Sequence, residues 1–91
     1  MAIETTSHLL NFYGTECPHC QRMRLLLDKL EIELGVVVDN VEVWHNEENT
    51  RLMESYDNDQ ACGGVPFFYN TKTKAWLCGE VTYKELLDWA A

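Results

Sequence analysis

The spacing of apolar residues changes period several times along the chain, and each change predicts an element. His8-Leu9-Leu10-Asn11-Phe12-Tyr13 is a short, mostly apolar run closed by Gly14, the pattern of a central strand covered on both faces. From Pro18 to Leu34 the period lengthens. Met23, Leu26, Leu27, Leu30 and Leu34 recur at three- and four-residue steps, which is one face of a helix. Pro18 suits the first helical turn, where no backbone donor is needed, and Gly35 is a natural stop. Val36-Val37-Val38 and Val41-Glu42-Val43-Trp44 place a second strand within 36–44. Asn46 caps a helix from Glu47 to about Tyr56, with Leu52, Met53 and Tyr56 as its apolar face. Asp57 to Gly64 is a polar loop. Two further strands, Pro66–Tyr69 and Lys74–Cys78, are joined by a hairpin at 70–73 that lacks the usual glycine. Thr82 and Glu85 form a capping box, and Leu86, Leu87 and Trp89 are the apolar face of the last helix. Met1 to Ser7 is expected to be a flexible start.

The resulting order is β-α-β-α-β-β-α. The first β-α-β unit requires parallel strands and a right-handed crossover, and the last two strands form an antiparallel hairpin. A four-stranded mixed sheet flanked by three helices, an α/β fold, buries all three helix stripes. The 91 residues suffice for one domain, 1–91, and show no repeats or Ser/Gly-rich linkers.

Composition narrows the class of partner. A net charge of −8 argues against nucleic acid, which needs a basic face. No apolar run approaches the roughly 20 residues of a membrane span, so no membrane is expected as a partner. No secretory signal is visible at the start, so a reducing cytoplasmic location is expected. The charge is uneven. Residues 17–30 carry Arg22, Arg24 and Lys29 against Asp28, whereas residues 31–60 carry nine acidic residues against Arg51.

The basic stretch opens on Cys17-Pro18-His19-Cys20, which includes two of the four cysteines. Three residues of helical rise put the two sulfurs roughly 5 Å apart along the axis, within disulfide reach. Cys17 at the helix N-terminus meets unsatisfied N–H groups and the positive end of the dipole, and both stabilise a thiolate. Cys20, one turn in, is more shielded. This asymmetry suits thiol–disulfide exchange, in which Cys17 attacks and Cys20 resolves. His19 is expected to donate a hydrogen bond to the Cys17 thiolate or to place positive charge near it, while the Glu16 carboxylate opposes thiolate formation. The other reading is half a zinc site, but structural zinc normally takes four ligands, often from a second close pair. Cys62 and Cys78 stand sixteen residues apart.

Phe12-Tyr13-Gly14-Thr15-Glu16-Cys17-Pro18-His19-Cys20, Gly64-Val65-Pro66-Phe67 and Cys78-Gly79, in this element order, resemble the thioredoxin-like superfamily over nearly the whole chain. The resemblance implies a thioredoxin fold with Cys17 as nucleophile and Cys20 as resolving thiol. It also implies a cis peptide bond before Pro66 and an extended substrate pairing with the Val65 backbone. Gly64 and Tyr13 complete the expected substrate-binding set. No cofactor beyond the Cys17–Cys20 disulfide is implied, and no metal. Expected partners are protein disulfides and an unidentified reductase, with the protein a monomer. Pro-His between the cysteines is similar to the DsbA-type oxidases rather than to typical thioredoxins. Asn11 stands where thioredoxins bury an aspartate, and Glu16 replaces a usual aromatic. The small size is similar to glutaredoxin, but Cys78-Gly79-Glu80-Val81 lacks the Gly-Gly-x-Asp-like glutathione signature. A glutathione-linked glutaredoxin and a thiolate metal-binding module using Cys17 and Cys20, with His19 or Cys62, remain the alternatives. Cys62 and Cys78 are either buried small apolar residues or an accessory redox pair.

Overall fold

The computed structural model describes residues 7–91. The N-terminus expected to be flexible lies outside the described residues up to position 6. Ser7 is held: its N–H donates to the Asp39 carboxylate (2.8 Å) and its hydroxyl to the Val37 carbonyl.

The elements are β1 (Leu9–Tyr13), α1 (Pro18–Leu34), β2 (Val38–Glu42), α2 (Glu47–Tyr56), a single 3-10 turn (Asn58–Gln60), β3 (Phe67–Asn70), β4 (Trp76–Cys78) and α3 (Tyr83–Ala90). The sheet order is β2-β1-β3-β4, with β1 and β2 parallel and the other two pairings antiparallel. This is the four-stranded mixed sheet with three helices that the sequence predicts.

Alternation along β1 divides the interior. Leu9 joins Met23, Leu27 and Leu30 of α1 and Leu86 and Trp89 of α3 on one face. Leu10 and Phe12 join Val41, Phe67, Tyr69 and Met53 of α2 on the other. A strand of period 2 lined with apolar residues on both sides can sit only in the middle of such a sandwich. Leu34, expected on the buried stripe of α1, is 44% exposed.

Local chemistry fixes the helix ends. Cys17 caps α1, and Gly35 ends it in the left-handed region (φ 65°) with its N–H on the Glu31 carbonyl. Asn46 caps α2 by accepting the Asn49 N–H at 3.0 Å. The capping box of α3 is complete, with Glu85 N–H on Thr82 Oγ1 and Thr82 N–H on Glu85 Oε1.

β2 lies within the expected 36–44, whereas the limits of β3 and β4 differ from those expected, and each limit has a local reason. β2 begins at Val38, whose N–H is held by the Glu31 carboxylate at the end of α1. It ends at Glu42, whose own carboxylate accepts the His45 N–H and turns the chain. β3 begins after Pro66, which has no N–H to give, and runs on to Asn70. β4 begins at Trp76 because Lys74 takes a positive φ of 65°, supplying the left-handed residue that a glycine would have advertised.

Asn70 holds this hairpin from inside. It is fully buried, its Oδ1 accepts the Lys72 and Thr73 N–H groups, and its Nδ2 donates to the Trp89 carbonyl in α3. Asn70→Ala should therefore lower stability by about 1–3 kcal/mol through stranded buried polar groups, read as a shifted denaturation midpoint. An unchanged midpoint would contradict this role.

Candidate functional site

β1 ends at Tyr13, and four residues later Cys17 opens α1. The turn is closed by Cys17 N–H on the Gly14 carbonyl (3.1 Å). Cys17 Sγ then accepts the Cys20 N–H at 3.2 Å, so this sulfur is itself the helix cap. Both thiols are free, with residue exposures of 3% and 5%. Burial pushes the Cys20 thiol up from 9.0 to about 12, and its hydrogen bond with Cys17 adds to the effect. A cavity of about 200 Å³ lies beside Cys20, lined by Tyr13, Gly14, Thr15, Gln21 and Arg24.

The β1–β2 register sets Tyr13 beside Glu42, so the residues after each strand become neighbours. Val43 N–H donates to the Tyr13 carbonyl, and the N–H and hydroxyl of Thr15 donate to the Glu42 carboxylate. Desolvation pushes that carboxyl up, but the N–H groups of His45 and Thr15 and the Thr15 hydroxyl outweigh it, leaving Glu42 below the usual carboxylate value. His45 Nε2 pairs with Glu16 at 2.8 Å, and this raises the imidazole above its ordinary value. The carboxylate beside Cys17 is thus engaged by an imidazole from the next loop. Trp44 covers Gly14 so closely that a Cβ there would lie 2.1 Å from the indole, which is why this position is glycine. None of Glu42, Trp44 or His45 was singled out from the sequence. Once β1 and β2 are taken as parallel, equal counting from the two strand ends would have found them.

Of the two roles expected of His19, the hydrogen bond to Cys17 is not the contact the structure gives it. Its position in the first turn of α1 turns the ring outward, where Nδ1 lies 3.1 Å from Glu80 and 2.9 Å from Arg22 Nη2. Nδ1 accepts from Arg22 in the neutral ring or donates to Glu80 in the imidazolium; in neither state is its partner the Cys17 sulfur. Arg22 also pairs directly with Glu80, and the hydrogen bonds of Arg22 first and then His19 hold the Glu80 carboxyl below its usual value. Arg24 pairs with Asp28 on the exposed helix face, as a solvated position would. Pro18 takes the first helical position as expected.

The Val65–Pro66 peptide bond is cis. Continuing the β1–β3 register one step past Phe12 and Phe67 sets Pro66 beside Tyr13, at the strand end that leads to Cys17. Pro66 is buried, Gly64 and Val65 are half-buried, and the Pro66 carbonyl accepts the Gly79 N–H at 2.8 Å. Asn11 is buried in mid-strand with Nδ2 on Asn40 and Oδ1 without a protein partner, an amide that cannot take up a proton.

Cys62 and Cys78 are joined as a disulfide. Cys62 is therefore withdrawn from any donor set with Cys17 and Cys20. Among the described residues no three His, Cys, Asp or Glu side chains are grouped to hold a metal ion, nor is any helix long and apolar enough to cross a membrane.

A thioredoxin-like fold is what these features build, and solved structures carry the same one. The chain is similar to the glutaredoxin (grx-1) of Archaeoglobus fulgidus, with a TM-score of 0.69 over 93% of this chain and 87% of that one, at 18% identity. It is also similar to wheat glutaredoxin, with a TM-score of 0.50 over 72% of this chain and 57% of that one, again at 18% identity. No family model and no curated protein matches the sequence.

Two outcomes follow from this geometry. Alkylation of Cys20 in the reduced protein should rise with pH only as about 12 is approached, and titration near 9.0 would contradict its shielding. The same raised value makes its contribution to stability complete below pH 9.0 and lost as pH climbs toward 12. Gly14→Ala should cost about 1–3 kcal/mol by displacing the Trp44 indole. Its effect should be less than additive with Trp44→Ala in a denaturation cycle, because one displacement serves both.

Proposed function

We propose that the protein is a thiol–disulfide oxidoreductase acting on protein disulfides through Cys17 and Cys20. The observation that carries this reading is the unlike treatment of two adjacent thiols. Both are buried, but one sulfur caps a helix and receives an N–H, whereas the other is pushed up to about 12 and held as a thiol. The redox-enzyme-like fold supports it.

In the reducing direction, the Cys17 thiolate attacks a substrate sulfur, the substrate S–S bond breaks, and one substrate thiolate leaves. The substrate lies extended along Gly64 and Val65, its backbone pairing with Val65 ahead of cis-Pro66 while Tyr13 borders it. Cys20 then gives up its proton and attacks Cys17 Sγ, releasing the second substrate thiol. Two electrons and the Cys20 proton pass to the substrate, the second sulfur takes its proton from solvent, where Cys17 released its own on ionising, and the Cys17–Cys20 disulfide remains. With Asn11 unable to serve as a base, the departing substrate thiolate, itself more basic than water, is the natural acceptor of the Cys20 proton. A partner reductase restores the dithiol. The protein acts as a monomer in a reducing, cytoplasmic compartment, and the Cys17–Cys20 dithiol is the group that turns over, with no added cofactor.

A glutathione-linked reaction is the second reading, favoured by the glutaredoxin likeness of the backbone. Turnover with glutathione alone as reductant would select it.

Purified protein with dithiothreitol should reduce insulin disulfides. Cys17→Ser should abolish this, and Cys20→Ser should trap the mixed disulfide. An active Cys17→Ser protein would sink the mechanism.

A further inference from the structure

The Cys62–Cys78 disulfide closes a circuit around the edge just assigned to substrate. From Cys62 the chain runs through Gly63, Gly64 and Val65 to cis-Pro66; the Pro66 carbonyl accepts the Gly79 N–H, and Gly79 follows Cys78. Val65 is thus bounded by a covalent cross-link on one side and a hydrogen bond on the other. The approach to this circuit is backbone that resists its own conformation, because Asp59 and Gln60 have φ of 57° and 53°, unfavourable for L residues. Buried Asp57 supports it locally, its two oxygens accepting the Cys62 and Gly63 N–H groups at 2.9 and 2.8 Å. Those bonds tie the loop to the end of α2. The disulfide ties it to the sheet, through β4. Cys78 is exposed and Cys62 half-buried, so a thiol from solution reaches the bond from the β4 side. Exposed disulfides are the labile and regulatory ones.

We propose that Cys62–Cys78 is a second redox site, a strap whose reduction by an external dithiol loosens the Gly64–Val65 edge and weakens capture of protein substrates. This rests on the oxidoreductase reading of that edge. One thiolate of the dithiol attacks Cys78 Sγ, the Cys62–Cys78 bond breaks, and Cys62 leaves as a thiolate that takes a proton. The second thiol of the dithiol then displaces Cys78, which also ends as a thiol. Two electrons and two protons enter the protein, and the dithiol departs as its own disulfide.

The strap can be examined without catalysis. In the Cys17→Ser/Cys20→Ser protein, Cys62 and Cys78 are the remaining thiols. After oxidation it should contain one disulfide joining them, which dithiothreitol reduces. Reduction should speed amide exchange at Gly63–Val65 by about tenfold while β1 stays protected, since local opening is what exchange reports. Absence of the disulfide, or equal exchange in both forms, would overturn the proposal. Coupling to substrate is read separately in Cys62→Ser/Cys78→Ser protein. Its KM for a disulfide within an extended peptide should rise about fivefold relative to its KM for hydroxyethyl disulfide, because only the peptide uses the edge. An unchanged ratio would refute the coupling. Wild-type protein inactive on both disulfides would refute the oxidoreductase reading, while the exchange measurement would still decide the strap.

Discussion

The parallel pairing of β1 with β2 is the constraint on which the rest of the molecule depends. It obliges the chain to cross the sheet through a long helix, and that helix starts where β1 ends, so Cys17 falls at a helix N-terminus. It also brings the ends of both strands to one side. Glu42, Trp44 and His45 are then set against Thr15, Gly14 and Glu16 by register alone. The antiparallel β3 completes the arrangement by delivering Pro66 beside Tyr13. The thiols, the aromatic cover and the cis proline converge because each is placed against the same five-residue strand.

The electrostatics of the first turn of α1 follow from that convergence. An acidic protein would ordinarily repel a thiolate, and Glu16 is adjacent to the one proposed. His45 offsets it across the turn, while Arg22 and His19 are drawn off by Glu80 on the other side. The charges around the cysteines are thus largely spent on one another. Both cysteines are buried, against the expectation that Cys20 is the more shielded, so what distinguishes the two sulfurs is the backbone N–H that Cys17 accepts, an interaction not strongly screened by salt in a buried turn.

Much of this was legible in the sequence, for identifiable reasons. The limits of α1 and α2 could be read because Pro18, Gly35 and Asn46 act locally, through φ, a missing donor and a side-chain cap. The Cys-Pro-His-Cys spacing and Val-Pro were legible because a strand–helix frame was already implied. The β3–β4 hairpin was placed only approximately, since Lys74 adopts a left-handed conformation that its residue type does not signal. The contacts of His19 were not legible, because Glu80 lies sixty-one residues away and nothing in the sequence reports that proximity. The loop after β2 went unnoticed for the same reason: its importance lies in register, not in composition.

The division of the core along β1 has a further consequence. Helix α1, which bears the two thiols, is packed with α3 on one side of the sheet, whereas Val65 and Cys62 rest against the cluster formed with α2 on the other. The thiols and the edge proposed for recognition therefore sit on separate mechanical foundations, with the sheet as the wall between them. Changes in volume among Leu10, Val41 and Met53 should reach the recognition edge before they reach the sulfurs. A lineage under pressure to acquire new partners has an interior it can revise without retuning its chemistry.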